Sequence, residues 1–82
     1  MPHLTLYTRQ ACQLCDEMKA TIDRVASRLP ITLDVTDIDS DAALAARYGE
    51  EIPVLLVDGM KVAKFRIAEA ALERTLRARE LL

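Results

Sequence analysis

The chain has 82 residues, of which 51% are apolar and 29% charged, with a formal net charge of −2. That length allows one domain, near the lower size at which a single apolar core suffices, with room for one sheet and about three helices. The charge balance gives no electrostatic reason to expect nucleic acid as a partner, and the Arg residues near the C-terminus alternate with Glu, which marks a solvated helix face.

Residues 3–7 (His-Leu-Thr-Leu-Tyr) combine apolar side chains with β-formers and read as a first strand, followed by a polar turn at Thr8 to Gln10. From Cys15 the apolar residues Met18, Ile22, Val25, Ala26 and Leu29 keep helical spacing until Pro30. Ile31, Leu33 and Val35 then alternate with Thr32, Asp34 and Thr36, the pattern of a strand with one buried face. The acidic run Asp37 to Asp41 starts a short helix, with Asp39 or Ser40 as N-cap and Asp41 set against the helix dipole. It runs through Leu44 to Tyr48 and stops at Gly49, expected in the left-handed conformation.

Val54 to Val57 is uninterrupted apolar sequence, as in a strand covered on both faces, and Asp58-Gly59 signals a two-residue hairpin. The return strand, Met60 to Phe65, carries Lys61 and Lys64, which blunt a sheet edge. Residues 67–80 form a last helix with Ile67, Ala71, Leu72 and Leu76 inward and Glu73 four residues before Arg77. The order is β-α-β-α-β-β-α in a single domain over 1–82. A right-handed crossover makes the first two strands parallel and the hairpin adds an antiparallel pair, giving an α/β fold with a four-stranded mixed sheet and helices on both faces. The apolar strand belongs in the middle, and the alternating and Lys-bearing strands at the edges.

No apolar run reaches the roughly 20 residues that cross a bilayer, and Pro2, His3 and Thr5 interrupt any signal-peptide start, so a cytoplasmic chain is expected, with no membrane partner. Thiols are kept reduced there, so Cys12 and Cys15, spaced C-x-x-C, read as catalytic, redox-sensing or metal-binding. They fall where the first strand gives way to the first helix. Unpaired amides and the positive end of the helix dipole favour an anion at that place, which selects Cys12 as the thiolate. An ordinary thiol is only about 3% ionised at pH 7, and ionising half of it needs roughly 2 kcal/mol, within reach of a helix terminus and one cation. Arg9 is the nearby cation, opposed by Asp16 and Glu17, so a lowered but not extreme pKa is expected for Cys12. Cys15, one turn on, also suits a small core residue.

Pro53, taken alone, reads as a trans proline that begins a strand. His3, the one imidazole, lies roughly 15 Å from the cysteines at the far end of the first strand and reads as solvated, so no metal site is expected within the chain. Tyr7, Tyr48 and Phe65, the only aromatics, suit core or groove wall better than a base-stacking platform.

The segments Leu6-Tyr7-Thr8-Arg9-Gln10-Ala11-Cys12-Gln13-Leu14-Cys15 and Glu51-Ile52-Pro53-Val54-Leu55, in this element order, make the chain resemble the glutaredoxin branch of the thioredoxin-fold proteins along essentially its whole length. It looks closest to small bacterial glutaredoxin-like proteins. The resemblance implies a thiol-disulfide oxidoreductase in which Cys12 attacks, Cys15 resolves and Pro53 is a cis-proline beside the sulfurs. Arg9, at a place where many glutaredoxins carry Lys, would with Gln13, Leu14, Ile52 and Pro53 form the substrate-contacting set, the Ile52 backbone adding a short β-like contact.

Glutathione-using glutaredoxins usually have Pro-Tyr between the cysteines, Thr-Val before the proline, and a Gly-Gly turn with an Asp before the last helix. Here those places hold Gln13-Leu14, Glu51-Ile52 and Phe65-Arg66-Ile67-Ala68, and Glu50 and Glu51 add negative charge. These departures count against glutathione and favour a protein thiol or disulfide, or another thiol reductant, as partner of a monomer with no bound cofactor. Two alternatives remain open: a metal or iron-sulfur module with a cluster shared between chains, and a redox-inert adaptor that keeps the fold.

Overall fold

Leu4 and Leu6 alternate with polar neighbours along β1 (His3–Thr8) and are wholly buried on one side of it. The computed structural model describes residues 1–80, the last by its backbone alone, so the domain expected over 1–82 extends two residues past the described ones. Strand β1 pairs in parallel with β2 (Thr32–Asp37) and antiparallel with β3 (Val54–Val57), which pairs antiparallel with β4 (Met60–Lys64). The sheet order is β2-β1-β3-β4, with the apolar strand inside and the Lys-bearing strand at an edge.

The register sets Leu6 opposite Leu55 and Leu4 opposite Val57. Onto that face pack Met18, Ile22 and Val25 of α1 (Gln13–Ala26) and Leu72 and Leu76 of α3 (Glu69–Glu80), which together form the main core. Ile67 packs against this core from outside α3, which begins two residues later than the sequence suggests. On the other face Tyr7 is paired with Val54, and its ring meets that of Tyr48 in α2 (Ala42–Tyr48) at 4.9 Å between centroids. Helices thus cover both faces.

Three local expectations are corrected. Val35 is 50% exposed, because the core reaches Ile31, just before this edge strand, and Leu33 within it, and stops short of Val35. The N-cap of α2 is Asp41, not Asp39 or Ser40: its extended backbone lets Oδ1 accept from the amides of Ala43 (2.8 Å) and Leu44 (3.3 Å). The preceding residues form a single 3-10 turn, Ile38–Ser40, capped by Asp37, and the burial of Ile38 delays the helix by that turn. Gly49 is right-handed (φ −55), so backbone handedness does not require glycine there. Space does: a Cβ would lie 2.5 Å from the Ala45 carbonyl oxygen and 3.4 Å from Nη2 of Arg9.

In the hairpin, Asp58 (φ 49) and Gly59 (φ 84) both take the positive φ that a two-residue turn of matching twist requires. Asp58 also ties the ends together, since its carboxylate accepts from the His3 amide (3.0 Å) and from Nε of Arg79 (2.8 Å). His3 itself is exposed but not merely solvated: Nδ1 lies 2.9 Å from Thr32 Oγ1 and Nε2 lies 3.0 Å from Asp34. The Ile52–Pro53 peptide bond is cis, against the trans form that the residue type alone suggests.

Helices α1 and α3 are laced by ion pairs: Arg24 and Arg28 both reach Glu69 (2.7 and 2.9 Å) and Arg28 reaches Glu73 (3.4 Å), which also pairs with Arg77 within α3 (3.4 Å). The Arg24 hydrogen bond, then that of Arg28, hold the Glu69 carboxyl below the usual carboxylate range. Such a group adds stability that is complete above its unfolded pKa, near pH 4, and is lost as pH falls through the lower folded value. Urea midpoints should therefore be level from about pH 5 to 7 and fall below about pH 4, less steeply in Glu69→Gln. Asp41→Ala should cost about 1 kcal/mol, whereas Ser40→Ala stays within about 0.5 kcal/mol; equal losses in urea titrations would contradict the cap assignment.

Candidate active site

The chain leaves β1 at Thr8 and enters α1 at Gln13 through four residues, one of which, Ala11, is left-handed (φ 55). That conformation costs a residue with a Cβ on the order of 1 kcal/mol, and here it turns the chain so that Cys12 becomes the N-cap of α1. Cys12 is extended (φ −115, ψ 104), and its Sγ accepts the backbone N–H of Cys15 at 3.1 Å. Its carbonyl accepts from the Asp16 amide at 3.2 Å, the first bond of the helix. The sulfur thus sits where an orphan amide of the helix start points.

Cys12 and Cys15 are joined as a disulfide, with their Cα atoms 5.2 Å apart. The two differ in exposure: Cys15 is 3% exposed and faces the core, whereas Cys12 is half-buried. Cys12 is therefore the more accessible member of the pair. Gln13 is exposed at the first position of α1, and Leu14 is half-buried.

Pro53 is fully buried at the entry to β3, and its carbonyl accepts the Phe65 amide at 2.9 Å. Ile52 lies outside the sheet ladder, and among the described residues its N–H and C=O take no main-chain partner. Phe65 is left-handed (φ 67) and 41% exposed, with Nζ of Lys64 5.6 Å from its ring centroid. Phe65, Arg66 and Ile67 line an open groove of about 140 Å³ together with Leu14, Glu17, Met18 and Thr21 of α1. The turn at Phe65 thus has a backbone conformation that glycine favours but carries a bulky apolar side chain.

Charge around the site is arranged differently from the linear sequence. Glu51 is held by Lys61 (2.8 Å) and Lys64 (3.6 Å), and chiefly the Lys61 hydrogen bond keeps its carboxyl below the ordinary range. Its charge is thus compensated, while Glu50 stays exposed. The Arg9 guanidinium is given to Asp39 in a two-toothed pair (Nε to Oδ2 3.0 Å, Nη2 to Oδ1 3.1 Å) and to the Gly49 carbonyl (Nη1, 3.3 Å). Asp39, Gly49 and Ala11 carried no signal at this site, because their roles depend on contacts between distant segments. Among the described residues, no group of three or more His, Cys, Asp or Glu could hold a metal ion.

Residues 3–77 match the family described as Glutaredoxin-like domain (DUF836). The chain belongs to this glutaredoxin-like family. Within reach of the glutaredoxin-like chain, protein XcR50 from X. campestris is 32% identical, with a TM-score of 0.74 over 92% of this chain and 96% of that one. A mutant thioredoxin from Halobacterium salinarum NRC-1 is 23% identical, with a TM-score of 0.71 over 94% and 73%, and shares the fold. Uncharacterized protein Rv0508 of Mycobacterium tuberculosis is 28% identical over 73 residues, 83% of this chain and 75% of the relative. These likenesses establish a thioredoxin-fold, glutaredoxin-like protein with a Cys-x-x-Cys pair.

The glutaredoxin-like turn at Phe65 can be tested by stability. Glycine normally destabilises relative to alanine, but at a left-handed position the order reverses. Phe65→Gly should unfold at higher urea than Phe65→Ala, by about 0.5–1 kcal/mol. An Ala variant as stable as the Gly variant would show that the left-handed turn is not retained.

Proposed function

We propose that this protein is a thiol-disulfide oxidoreductase that acts on protein disulfides, with Cys12 as nucleophile and Cys15 as resolving thiol. The observation that carries this reading is the Cys15 amide directed at Sγ of the accessible Cys12, with Cys15 itself buried behind it. In the reduced protein the same amide, and the helix terminus it belongs to, favour the Cys12 thiolate.

The reaction balances without a bound cofactor. The Cys12 thiolate attacks one sulfur of a substrate disulfide, a mixed disulfide forms, and the other sulfur leaves as a thiolate that takes a proton. Cys15 then gives up its proton and attacks Sγ of Cys12, which releases the second substrate thiol and leaves the Cys12–Cys15 disulfide. Two electrons have passed to the substrate, and a thiol reductant returns them by the reverse route. Such cycling belongs to a reducing compartment such as the cytoplasm; no helix among the described residues is long and apolar enough to cross a membrane.

The free main-chain groups of Ile52, next to the buried Pro53, suit an extended peptide strand. Leu14, Phe65 and Ile67 offer apolar surface for its side chains, Glu17 and Arg66 line the same groove with charge, and Gln13 is exposed at the start of α1. Phe65 in place of glycine and the exposed Glu50 favour a protein partner over glutathione.

Two measurements test this function. Alkylation of the reduced protein at pH 7 should modify Cys12 at least about tenfold faster than Cys15, with a midpoint below that of a free thiol. Cys15→Ser should accumulate mixed disulfides on Cys12 in cells, resolved by mass into protein and glutathione adducts with protein adducts in excess. Absence of both adduct classes would end the exchange mechanism.

A further inference from the structure

Two segments must keep a fixed spacing for a substrate sulfur to meet Cys12 while its chain lies along Ile52. One is the loop from Thr8 to Cys12, and the other runs from the end of α2 at Tyr48 to Pro53. Neither is held by the sheet ladder over its whole length. The turn at Ala11 stores strain, and strain persists only where the surroundings impose it.

Arg9 spans these segments. Its Nη1 donates to the Gly49 carbonyl at 3.3 Å, while Nε and Nη2 grip both oxygens of Asp39 at 3.0 and 3.1 Å. Gly49 is kept free of a side chain, since a Cβ would crowd both the Ala45 carbonyl and Arg9 itself. Asp39 is in turn fixed at its backbone, where its amide donates to Asp37 Oδ1 at 2.8 Å. Beyond Gly49 the chain closes a turn, Glu51 amide to Tyr48 carbonyl at 2.9 Å, and enters Ile52 and Pro53. Tyr7, in β1 just before the first segment, packs against Tyr48 at the start of the second.

We infer that Arg9 is a positioning residue, clamped by Asp39 and the Gly49 carbonyl, that sets the Cys12 loop against the Ile52-Pro53 segment for protein disulfides. It does not act as the local cation that ionises Cys12. The inference rests on the exchange function proposed above. A bidentate fork is needed for this clamp, and lysine, a point charge on a flexible stem, cannot supply it. Misplacing reacting groups by a fraction of an ångström slows a large, oriented substrate far more than a small one that can approach from several directions.

The test uses the reduced full chain as wild type, Arg9→Gln, Arg9→Lys, Asp39→Asn and the Arg9→Gln/Asp39→Asn double variant. Rates are measured with insulin as the protein disulfide and with a small aromatic disulfide, together with the pH profile of Cys12 alkylation. All three single variants should reduce insulin roughly five- to tenfold more slowly, and the double variant no more slowly than either parent. The small-disulfide rate and the alkylation midpoint should stay near wild type in Asp39→Asn, which also shows that the site is folded, and the Arg9 variants should lose far more of the insulin rate than of the small-disulfide rate.

A midpoint that rises in Arg9→Gln and is restored in Arg9→Lys would overturn the inference in favour of an electrostatic role. Unchanged insulin rates, or loss of both rates together, would overturn it as well. Wild type inert towards both disulfides would sink the exchange function and this inference with it, whereas an active wild type with indifferent variants sinks the inference alone.

Discussion

Strand β1 is hydrogen-bonded along both edges, parallel to β2 on one side and antiparallel to β3 on the other. A slip of one residue would turn Leu4 and Leu6 out of the core and Thr5 and Tyr7 into it, so the register is held by the full burial of two large side chains. With Thr8 fixed in this way, only four residues are left to carry the chain from the sheet into α1. The left-handed Ala11 and the extended Cys12 follow from that short span, and the amide of Cys15 meets Sγ of Cys12 because the helix has to begin there.

Among the described residues, two that carry a side chain take positive φ outside the hairpin turn: Ala11, next to Cys12, and Phe65, just after β4. Each is held by something distant in sequence: the Phe65 amide by the Pro53 carbonyl, the Ala11 loop by Arg9 on Asp39 and Gly49. The core formed by α1, α3 and the inner strands carries no such strain and no buried side-chain nitrogen or oxygen without a partner among the described residues. Apart from Asp58 in the hairpin, the side-chain-bearing residues with positive φ thus lie in the segments that follow β1 and β4, outside the packed core.

The elements were readable wherever their cause is local. Val54 to Val57 is apolar throughout because both its faces are covered, and Asp58-Gly59 turns because both residues tolerate positive φ. The acidic run before α2 was ambiguous for a physical reason. Asp37, Asp39, Ser40 and Asp41 can all cap a helix, and the choice fell to the burial of Ile38, a tertiary fact. Val35 followed the alternating pattern but lies beyond the reach of the core, which the pattern does not contain. The cysteine pair and Pro53 were visible as motif residues. Arg9 was visible as a charge, but its partners at Asp39 and Gly49 come together only when the first β-α unit folds against α2. Phe65 has no sequence mark of a left-handed turn, since its conformation is set by the hydrogen bond to Pro53.

Asp58 gathers the start of β1, the hairpin and the last turns of α3 onto a single carboxylate, whose charged form is favoured first by the His3 amide and then by Arg79. That knot lies at the end of β1 opposite to the one that leads to Cys12. His3 and Arg79 therefore mark the pole of the sheet that faces away from the sulfurs. A fluorophore or affinity handle carried at the exposed Met60, beside that knot, stands clear of the disulfide.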